Sequence, residues 1–511
     1  MEVKSMYTVN TSFEIEEKWA EEKLSKCEGM VLENSAVLAN LMSKLGHMEM
    51  DKKDKLVEII DKYKSLFPDA PRKTNVVVHD VDVGDATPIK QHAYRVNPKK
   101  REIMKKEIEY MLENDLIEPS DSPWSSPCVL VPKPGQDSFR FCTDYRKVNM
   151  VTKADAYPIP RIDDCIDNVG NANFITKIDL LKGYWQVEMT ERAKAISAFV
   201  TMEGLYQYKV LPFGMKNSGS SFQRLMNKVL KGVKGCSVYI DDILLYTEEW
   251  EEHVKLLEEV FKKLDDANLT INLAKSHFVQ ADVEYLGFKI GKGKVKTVEA
   301  KVKDIVNLPP PTNRKEILRF LGASGYYRRF CKNFSDVAMP LTKLLAKKSK
   351  FCWSEKCDEA FNEIKNMLVN APVLRMPDYS KPFMLYVDAS QCGVGGVLMQ
   401  DHEGVDHPIG YYSKKLLPYQ CSYSTIEKEA LGLILSLNHF EIYVKGTGQP
   451  VQVFTDHNPL VFLHKMKNTN QRLMRWCLVL QDYNLDIHHV KGSENVIADA
   501  LSRIPASREA T

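Results

Sequence analysis

The stretch VYIDDILLY, residues 238–246, is the most informative part of this 511-residue chain. Two short apolar runs flank Asp241 and Asp242, and such runs can pair as a β-hairpin lodged in a core. Adjacent carboxylates at a buried turn repel each other and take up protons unless a cation binds them. Aspartate pairs also favour tight turns that face water, so the motif alone leaves a structural role open.

A third acid strengthens the functional interpretation of this hairpin. Asp179 ends the strand-like run FITKID, where the end of a strand can project a carboxylate towards the hairpin. Three acids from two neighbouring strands predict a magnesium site. In a two-metal arrangement one ion activates a hydroxyl nucleophile and the other holds a triphosphate and its leaving group, which is what phosphoryl transfer requires.

A second group of acids lies in the C-terminal third of the chain. Two follow strand-like runs and two lie in helical segments; they are Asp388, Glu429, Asp456 and Asp499. Four such carboxylates can also hold two metal ions. Glu427 competes with Glu429 for the helical position, but Ser424 three residues earlier predicts a capping box that gives Glu427 a structural role. We therefore choose Glu429.

Composition narrows the class of protein. With 70 Lys and Arg residues against 68 Asp and Glu residues, the net charge is +2, so a nucleic-acid partner would have to bind in a local groove. The eleven cysteines form no CxxC pair, which argues against a zinc site. Without an apolar stretch of membrane-spanning length or a signal-peptide pattern, we expect a soluble intracellular protein with no membrane partner.

Hydrophobic periodicity predicts two mixed α/β regions separated by a basic helical one. Residues 1–70 show helical periodicity but carry no recognisable chemistry. Residues 124–148 predict a β-hairpin with Pro134 and Gly135 in its turn. Pro309 to Pro311 precede the basic helical region, and strands return after Lys381. We interpret Gly393, Gly395 and Gly396 as a turn between strands and not as a phosphate loop.

An ordered series of motifs resembles a known family. The motifs are WSSPCVLVPKPG, RFCTDYRKVN, AYPIPRID, KIDLLKGYWQV, LPFGMKNSGSSFQRLMN, YIDDILLY and YLGFKI. Together with DASxxGVGGVL, TDHNPL and ADALSR, they resemble the reverse transcriptase and ribonuclease H portion of a gypsy-like LTR retrotransposon polyprotein, from about Pro71 to Pro505. We find no Asp-Thr-Gly protease loop, CCHC knuckle or integrase zinc cluster, so we expect only that portion of the polyprotein.

The resemblance implies an α+β fold: a right-hand polymerase of fingers, palm and thumb, followed by a ribonuclease H-like α/β domain. The implied boundaries are a linker-like extension at residues 1–70, fingers and palm at 71–297, a basic helical thumb at 298–378, ribonuclease H at 379–505 and a tail at 506–511. The thumb's Lys and Arg residues would follow the phosphate backbone without reading sequence.

The resemblance also implies a role for individual residues of this sequence. Asp179, Asp241 and Asp242 would be the polymerase metal ligands, with Asp242 contributing less, and Asp388, Glu429, Asp456 and Asp499 the ribonuclease H ligands. Lys133 and Arg140 would bind the incoming triphosphate, and Tyr184 would crowd a ribose 2′-hydroxyl. Phe213 and Gly214 would line the nucleotide pocket, and Tyr285, Leu286, Gly287 and Phe288 would match the primer grip. Taken singly, these residues are as well explained by surface charge and core packing.

The implied function is template-directed addition of deoxynucleotides (dNTPs) to a DNA primer on an RNA or DNA template, and cleavage of RNA in an RNA–DNA hybrid. Two Mg²⁺ ions per active site are expected, with Mn²⁺ as an alternative ion, and the expected location is cytoplasmic, within retrotransposon particles. Whether the protein is a monomer or a homodimer stays open. His488 and His489 lie near the last acid but receive no role.

Two other functions would account for part of the sequence. An RNA-templated RNA polymerase would share the palm acids, but Tyr184 and the second acidic group argue against it. A remnant that binds nucleic acid or protein without turnover predicts eroded acids, whereas all seven carboxylates are intact.

Overall fold

The structure, a computed structural model, describes residues 34–132, 139–346, 351–391, 393–456 and 471–490. They form two compact units. The first holds the described residues of Met1–Cys165 and Phe174–Gln280, and the second those of Ile166–Asn173 and Ala281–Thr511. Within the described ranges, no helix combines the length and apolar character needed to cross a membrane.

The first unit is a mixture of helices and short strands. Its helices are Asn34–Ala39, Leu41–Lys44, Met50–Lys62, Pro98–Glu113, Arg146–Val151, Glu191–Ile196, Ser218–Val229 and Trp250–Asp266. Its strands are β1 (Thr74–His79), β2 (Ile117–Pro119), β3 (Ser126–Pro132), β4 (Phe139–Thr143), β5 (Phe174–Asp179), β6 (Val187–Met189), β7 (Phe199–Val200), β8 (Leu205–Tyr208), β9 (Cys236–Tyr239), β10 (Asp242–Thr247) and β11 (His277–Gln280). The helix Ile162–Asp167 lies at the boundary between the units.

An antiparallel sheet with strand order β11-β5-β10-β9 forms the centre of this unit. In the central strand β10, Ile243, Leu244 and Leu245 are all fully buried, which explains the uninterrupted apolar run in the sequence. Leu225 of the helix Ser218–Val229 and Leu257 of the helix Trp250–Asp266 belong to the same core. A buried sheet covered by amphipathic helices fixes the position of the aspartate hairpin.

The N-terminal helices also contribute to this core. Leu41, Leu45 and Leu56 are buried in the cluster that contains the palm strands. The sequence predicted the helical periodicity of this segment but not its packing, because nothing local indicates what an apolar stripe will face.

A second sheet, of order β2-β8-β7-β3-β4, corresponds to the fingers. The predicted hairpin is confirmed in strands β3 and β4, where Leu130 pairs with Phe141. Its turn lies outside the described residues. The helix Pro98–Glu113 begins where Asn97 accepts a hydrogen bond from the Lys100 backbone N–H at 2.8 Å, with Pro98 at the first helical position.

The second unit contains the regions that the sequence predicts to be the thumb and the ribonuclease H domain. Its helices are Glu299–Val306, Arg314–Gly325, Phe334–Val337, Met339–Leu344, Glu355–Val369, Pro418–Cys421, Thr425–His439, Glu441–Val444 and Gln471–Leu480. Its strands are β12 (Val283–Tyr285), β13 (Phe288–Gly291), β14 (Lys294–Thr297), β15 (Leu374–Arg375), β16 (Met384–Ala389), β17 (Gly393–His402), β18 (Val405–Lys415), β19 (Val451–Thr455) and β20 (Leu485–His489). The predicted domain boundaries at residues 70, 297, 378 and 505 stay predictions.

The ribonuclease H sheet has the order β18-β17-β16-β19-β20, with β16, β19 and β20 parallel. The helix Thr425–His439 packs on it through Leu433 and Leu437. The expectation of a glycine turn is wrong, because Gly393, Gly395 and Gly396 lie inside strand β17. A Cβ on Gly396 would lie 2.5 Å from Ser436 Oγ of that helix, so this glycine permits close helix–strand packing.

Candidate active sites

The polymerase acids meet at one end of the palm sheet. Asp179, the last residue of β5, is the direct cross-strand partner of Asp242, the first residue of β10. Asp241 lies in the turn that joins β9 to β10, and Ile240 beside it has φ +57°. A β-branched residue rarely adopts this left-handed conformation, so the surrounding contacts must hold the turn.

The charges in this group differ in their surroundings. Burial, assisted by Asp241 and Asp242, raises the pKa of Asp179 to about 6, although Lys275 acts in the opposite direction. Lys275 Nζ lies 3.9 Å from Asp179 Oδ1, and Lys177 Nζ lies 3.0 Å from Asp242 Oδ1. A desolvated group of carboxylates fits a divalent cation, which would supply the missing charge. Because Lys177 lies closer to Asp242 than Lys275 does to Asp179, Asp179 and Asp241 are the freer ligands.

The predicted nucleotide pocket is lined by aromatic rings beside these acids. Tyr184 lies 5.0 Å from Phe213 and 5.4 Å from Phe222 between ring centroids. Phe213 is 44% exposed and can form a wall of an open pocket. Gly183 is required here, because a Cβ would approach the Phe222 ring to 3.0 Å and Asp241 Cβ to 3.5 Å.

Other predicted nucleotide-binding residues are placed less completely. Gly214 has φ +93°, a conformation suited to glycine, and its carbonyl accepts a hydrogen bond from Asn149 Nδ2 at 2.8 Å. Arg140 is exposed on β4. Lys133 lies outside the described residues.

The primer-grip candidates form a turn in the second unit. Tyr285 and Phe288 are buried strand residues, while Leu286 and Gly287 between them have φ +46° and +79°. The Tyr326 hydroxyl donates to the Leu286 carbonyl at 2.5 Å, and the Tyr327 hydroxyl donates to the Gly287 carbonyl at 3.0 Å. No motif in the sequence pointed to these two tyrosines. Their only signal was their aromatic character in a basic helical region.

The ribonuclease H acids form a compact group. Asp388 is the penultimate residue of β16 and Asp456 follows β19, and because these strands are parallel neighbours their carboxyl ends lie together. Glu429 reaches the same point from the helix Thr425–His439. One carboxylate oxygen of each residue lies within 4.8 Å of the others. Asp499 lies outside the described residues.

Burial makes this group unfavourable without a cation. Burial and the neighbouring Asp388 and Asp456 raise the pKa of Glu429 to about 9. Glu429 Oε1 accepts a hydrogen bond from the Ala389 backbone N–H at 3.3 Å, whereas Oε2 is buried with no hydrogen-bond partner among the described residues. A carboxylate oxygen aimed into an acidic cluster fits a hard divalent cation.

Glu427 has a separate, structural role. Its Oε2 accepts hydrogen bonds from the Ser424 backbone N–H and hydroxyl, both at 2.9 Å, and its Oε1 lies 2.7 Å from Arg472. The predicted capping box is therefore present. His489 Nε2 lies 3.2 Å from the Asp456 carbonyl, and His488 lies 2.9 Å from Asp486, so neither contact assigns a catalytic role.

Comparison with known proteins matches both regions to families. The family model for reverse transcriptase (RNA-dependent DNA polymerase) matches residues 131–290. The family model for the RNase H-like domain found in reverse transcriptase matches residues 378–483. The Pol polyprotein of transposon opus from Drosophila melanogaster is 39% identical over 433 residues, covering 81% of this chain and 43% of the relative. The Pol polyprotein of transposon gypsy from the same fly is 35% identical over 438 residues, covering 82% of this chain and 42% of that relative. The chain thus spans less than half the length of these relatives.

Solved structures give the same result. The foamy viral protease-reverse transcriptase in complex with double-stranded DNA has a TM-score of 0.79 and 26% identity, covering 89% of this chain and 81% of that one. The same enzyme in complex with an RNA/DNA hybrid has a TM-score of 0.72 at 24% identity, covering 100% and 66%, and this shows the fold alone. The predicted fold class is confirmed.

Fold, domain matches and acidic groups together define a reverse transcriptase joined to a ribonuclease H. The chain carries the reverse transcriptase and RNase H-like domains that it shares with the Pol polyproteins of LTR retrotransposons, among them gypsy and the Tf2 elements of Schizosaccharomyces pombe.

Proposed function

We propose that this chain extends a DNA primer with dNTPs on RNA and DNA templates, and cleaves the RNA strand of the resulting hybrid. The observation that supports the proposal is the presence of two separate clusters of carboxylate side chains in one chain. One lies at the aspartate hairpin of the palm, and the other joins Asp388, Glu429 and Asp456. Each lies within a matched family domain.

In the polymerase site, Asp179 and Asp241 would hold divalent ions, with Asp242 contributing less because Lys177 engages it. When bound there, such ions would supply the positive charge that the triphosphate and the primer 3′-hydroxyl need. Arg140 and Lys133 would bind phosphate oxygens, Arg140 through its forked donors. Tyr184, packed against Phe213, would exclude a nucleotide with a 2′-hydroxyl.

In the ribonuclease H site, Asp388, Glu429, Asp456 and Asp499 would hold the divalent ions that generate the nucleophile and stabilise the departing 3′-oxygen. The 2′-hydroxyls distinguish the RNA strand from the DNA strand of the hybrid. Magnesium is the ion we propose for both sites, since carboxylate ligands and phosphate substrates suit it.

The expected biological setting is part of the proposal. The relatives are named as transposon polyproteins, which supports action in the cytoplasm within retrotransposon particles. Sedimentation of a cell extract, followed by assay of each fraction, tests this location. Analytical ultracentrifugation of the purified chain decides between a monomer and a homodimer.

The decisive experiment is primer extension on an RNA template, with cleavage of a labelled RNA–DNA hybrid measured in parallel. Asp241→Asn should abolish DNA synthesis and spare RNA cleavage, and Asp388→Asn should do the reverse. Asp61→Asn, at an exposed aspartate of the helix Met50–Lys62, is the matched control and should leave both activities intact. Titration with Mg²⁺ and then Mn²⁺ identifies the preferred ion.

Two outcomes would contradict the proposal. A parent that incorporates ribonucleotides as readily as dNTPs would indicate an RNA polymerase. A parent that binds hybrid yet makes no DNA with either ion would indicate a nucleic-acid-binding remnant.

A further inference from the structure

Lys182 is held between two aromatic rings close to the polymerase acids. Its Nζ lies 4.1 Å from the ring centroid of Tyr110 and 4.5 Å from that of Trp185. The same Nζ donates a hydrogen bond to the Tyr110 hydroxyl at 2.9 Å. A cation over two ring faces, with a hydrogen bond in addition, is a well-defined arrangement for a flexible side chain.

This contact joins two elements that are distant in sequence. Tyr110 lies in the fingers helix Pro98–Glu113, whereas Lys182 lies three residues after Asp179 in the palm. Both residues, and Trp185, are partly buried. The ammonium group therefore ties the fingers helix to the segment that follows the first catalytic acid.

The backbone of Lys182 shapes that segment. Lys182 has φ +47° and precedes the short 3₁₀ helix Gly183–Gln186, whose Trp185 N–H donates to the Lys182 carbonyl at 2.8 Å. A left-handed lysine is an uncommon conformation that its surroundings must stabilise. The side-chain contacts with Tyr110 and Trp185 provide such support, and the resulting turn sets the position of Tyr184.

The aromatic contacts continue from Trp185 into the nucleotide pocket. The Trp185 ring lies 6.4 Å from Phe213, and Phe213 lies 5.0 Å from Tyr184. Both pairs of rings are tilted at 59° to each other, and rings at these distances restrict each other's movement. A displacement of Trp185 would therefore reach Phe213, which is predicted to line the nucleotide pocket, and through it Tyr184, which is predicted to crowd the ribose 2′-hydroxyl.

We propose that Lys182 is a positioning residue for sugar selection. By binding Tyr110 and Trp185 it fixes the Phe213–Tyr184 wall, and so favours a deoxyribose over a ribose. This inference rests on the proposed polymerase function and assigns no catalytic step to Lys182. A lysine near the acids can also act by contacting the triphosphate directly, and that role predicts different kinetics.

The experiment compares single-nucleotide incorporation of a dNTP and the matching ribonucleotide by the full chain. Lys182→Met removes the charge, Tyr110→Phe removes the hydroxyl but keeps the ring, and Lys182→Arg keeps a cation that can bind both rings. Lys105→Met is the control, since Lys105 is an exposed residue of the same helix as Tyr110. Cleavage of hybrid RNA by each variant reports whether the protein is folded.

Lys182→Met should lower the preference for dNTP over ribonucleotide by about tenfold, because it removes two cation–π contacts and one hydrogen bond. The change should appear mainly as a lower KM for the ribonucleotide, because a loosened wall crowds the 2′-hydroxyl less, while KM and kcat for the dNTP change little. Tyr110→Phe should shift the preference in the same direction by a smaller factor. Lys182→Arg should retain most of the preference, and Lys105→Met all of it.

Equal weakening of dNTP and ribonucleotide binding by Lys182→Met would indicate a triphosphate contact and overturn the proposal. An unchanged preference in Tyr110→Phe would also overturn it, because the hydroxyl would then not matter. A parent that makes no DNA would remove the proposed function itself before any variant is compared, so the two failures are distinguishable.

Discussion

Gln223 clamps the aspartate hairpin through the backbone of Ile240. Its Oε1 accepts a hydrogen bond from the Ile240 N–H at 2.7 Å, and its Nε2 donates to the Val238 carbonyl at 3.2 Å. Gln223 is fully buried in the helix Ser218–Val229. Because both contacts are to main-chain atoms, one in β9 and one in the turn itself, the helix fixes the shape of the hairpin independently of the hairpin's side chains.

Replacing Gln223 with Leu should therefore impair DNA synthesis selectively. The substitution leaves a buried N–H and a buried carbonyl without partners, which costs about 1 to 3 kcal/mol each. We expect kcat for primer extension to fall by about 10- to 100-fold, since this energy would be recovered by moving the turn and with it Asp241. Steady-state primer extension measures the effect.

Asn227→Ala is the matched control for this change. Asn227 accepts the third hydrogen bond of Gln223, at 2.9 Å, and makes none of the hairpin contacts. Its loss should alter kcat by less than about twofold. Equal damage from both variants, or loss of ribonuclease H cleavage in Gln223→Leu, would mean that Gln223 stabilises the whole unit and not the hairpin.

Substitutions of the neighbouring acids Glu427 and Glu429 should have different effects, one on stability and the other on activity. Glu429→Gln should abolish cleavage of hybrid RNA, while the melting temperature in EDTA stays equal or rises because an uncompensated buried carboxylate is removed. Glu427→Gln should lower the free energy of unfolding by about 1 kcal/mol through the lost cap and the weakened Arg472 pair, and should retain cleavage. The opposite pattern would reverse our assignment of the metal ligand.

Gly396→Ala should destabilise the ribonuclease H region. The new methyl group would lie 2.5 Å from Ser436 Oγ and 3.0 Å from Ser436 Cβ, and overpacking of this kind costs about 1 to 3 kcal/mol. Thermal unfolding measures the loss. The double variant Gly396→Ala/Ser436→Gly should recover most of it, and a failure to recover would show that strand conformation, not helix contact, requires the glycine.

Asp336 should make stability depend on pH. Its carboxylate is 5% exposed and, among the described residues, neither oxygen has a hydrogen-bond partner; burial raises its pKa to about 6, opposed by Lys415. Since the folded pKa lies above the unfolded value, the folded state binds more protons, and stability falls as pH rises from about 4 to 6. The free energy of unfolding of Asp336→Asn should then exceed that of the parent by about 1 to 2 kcal/mol at pH 7. Below about pH 4 the two should be equal.

Denaturant unfolding at a series of pH values tests this profile. Asp61→Asn is the control at an exposed position and should leave the profile unchanged. A stability difference between Asp336→Asn and the parent that is the same at every pH would show that the amide contributes through packing alone.

The sequence by itself determined the local features of this protein. Alternating and continuous apolar runs predicted the strands that contain Asp179 and Asp388 and those that precede Asp241 and Asp456. The spacing of Ser424 and Glu427 predicted a helix cap, because these patterns depend only on neighbouring residues. The order of the motifs identified the family, since one shared motif is weak and many in sequence are specific.

The tertiary structure decided which of these residues act together. Asp388, Glu429 and Asp456 share one site because parallel strands and a packed helix bring distant parts of the chain to one point. Gln223 and Lys182 gained their roles in the same way, and Gly396 proved to be a residue of β17 that packs closely against a helix. Such contacts form only when the chain closes on itself and excludes water, and no local pattern specifies which partner a buried side chain will meet.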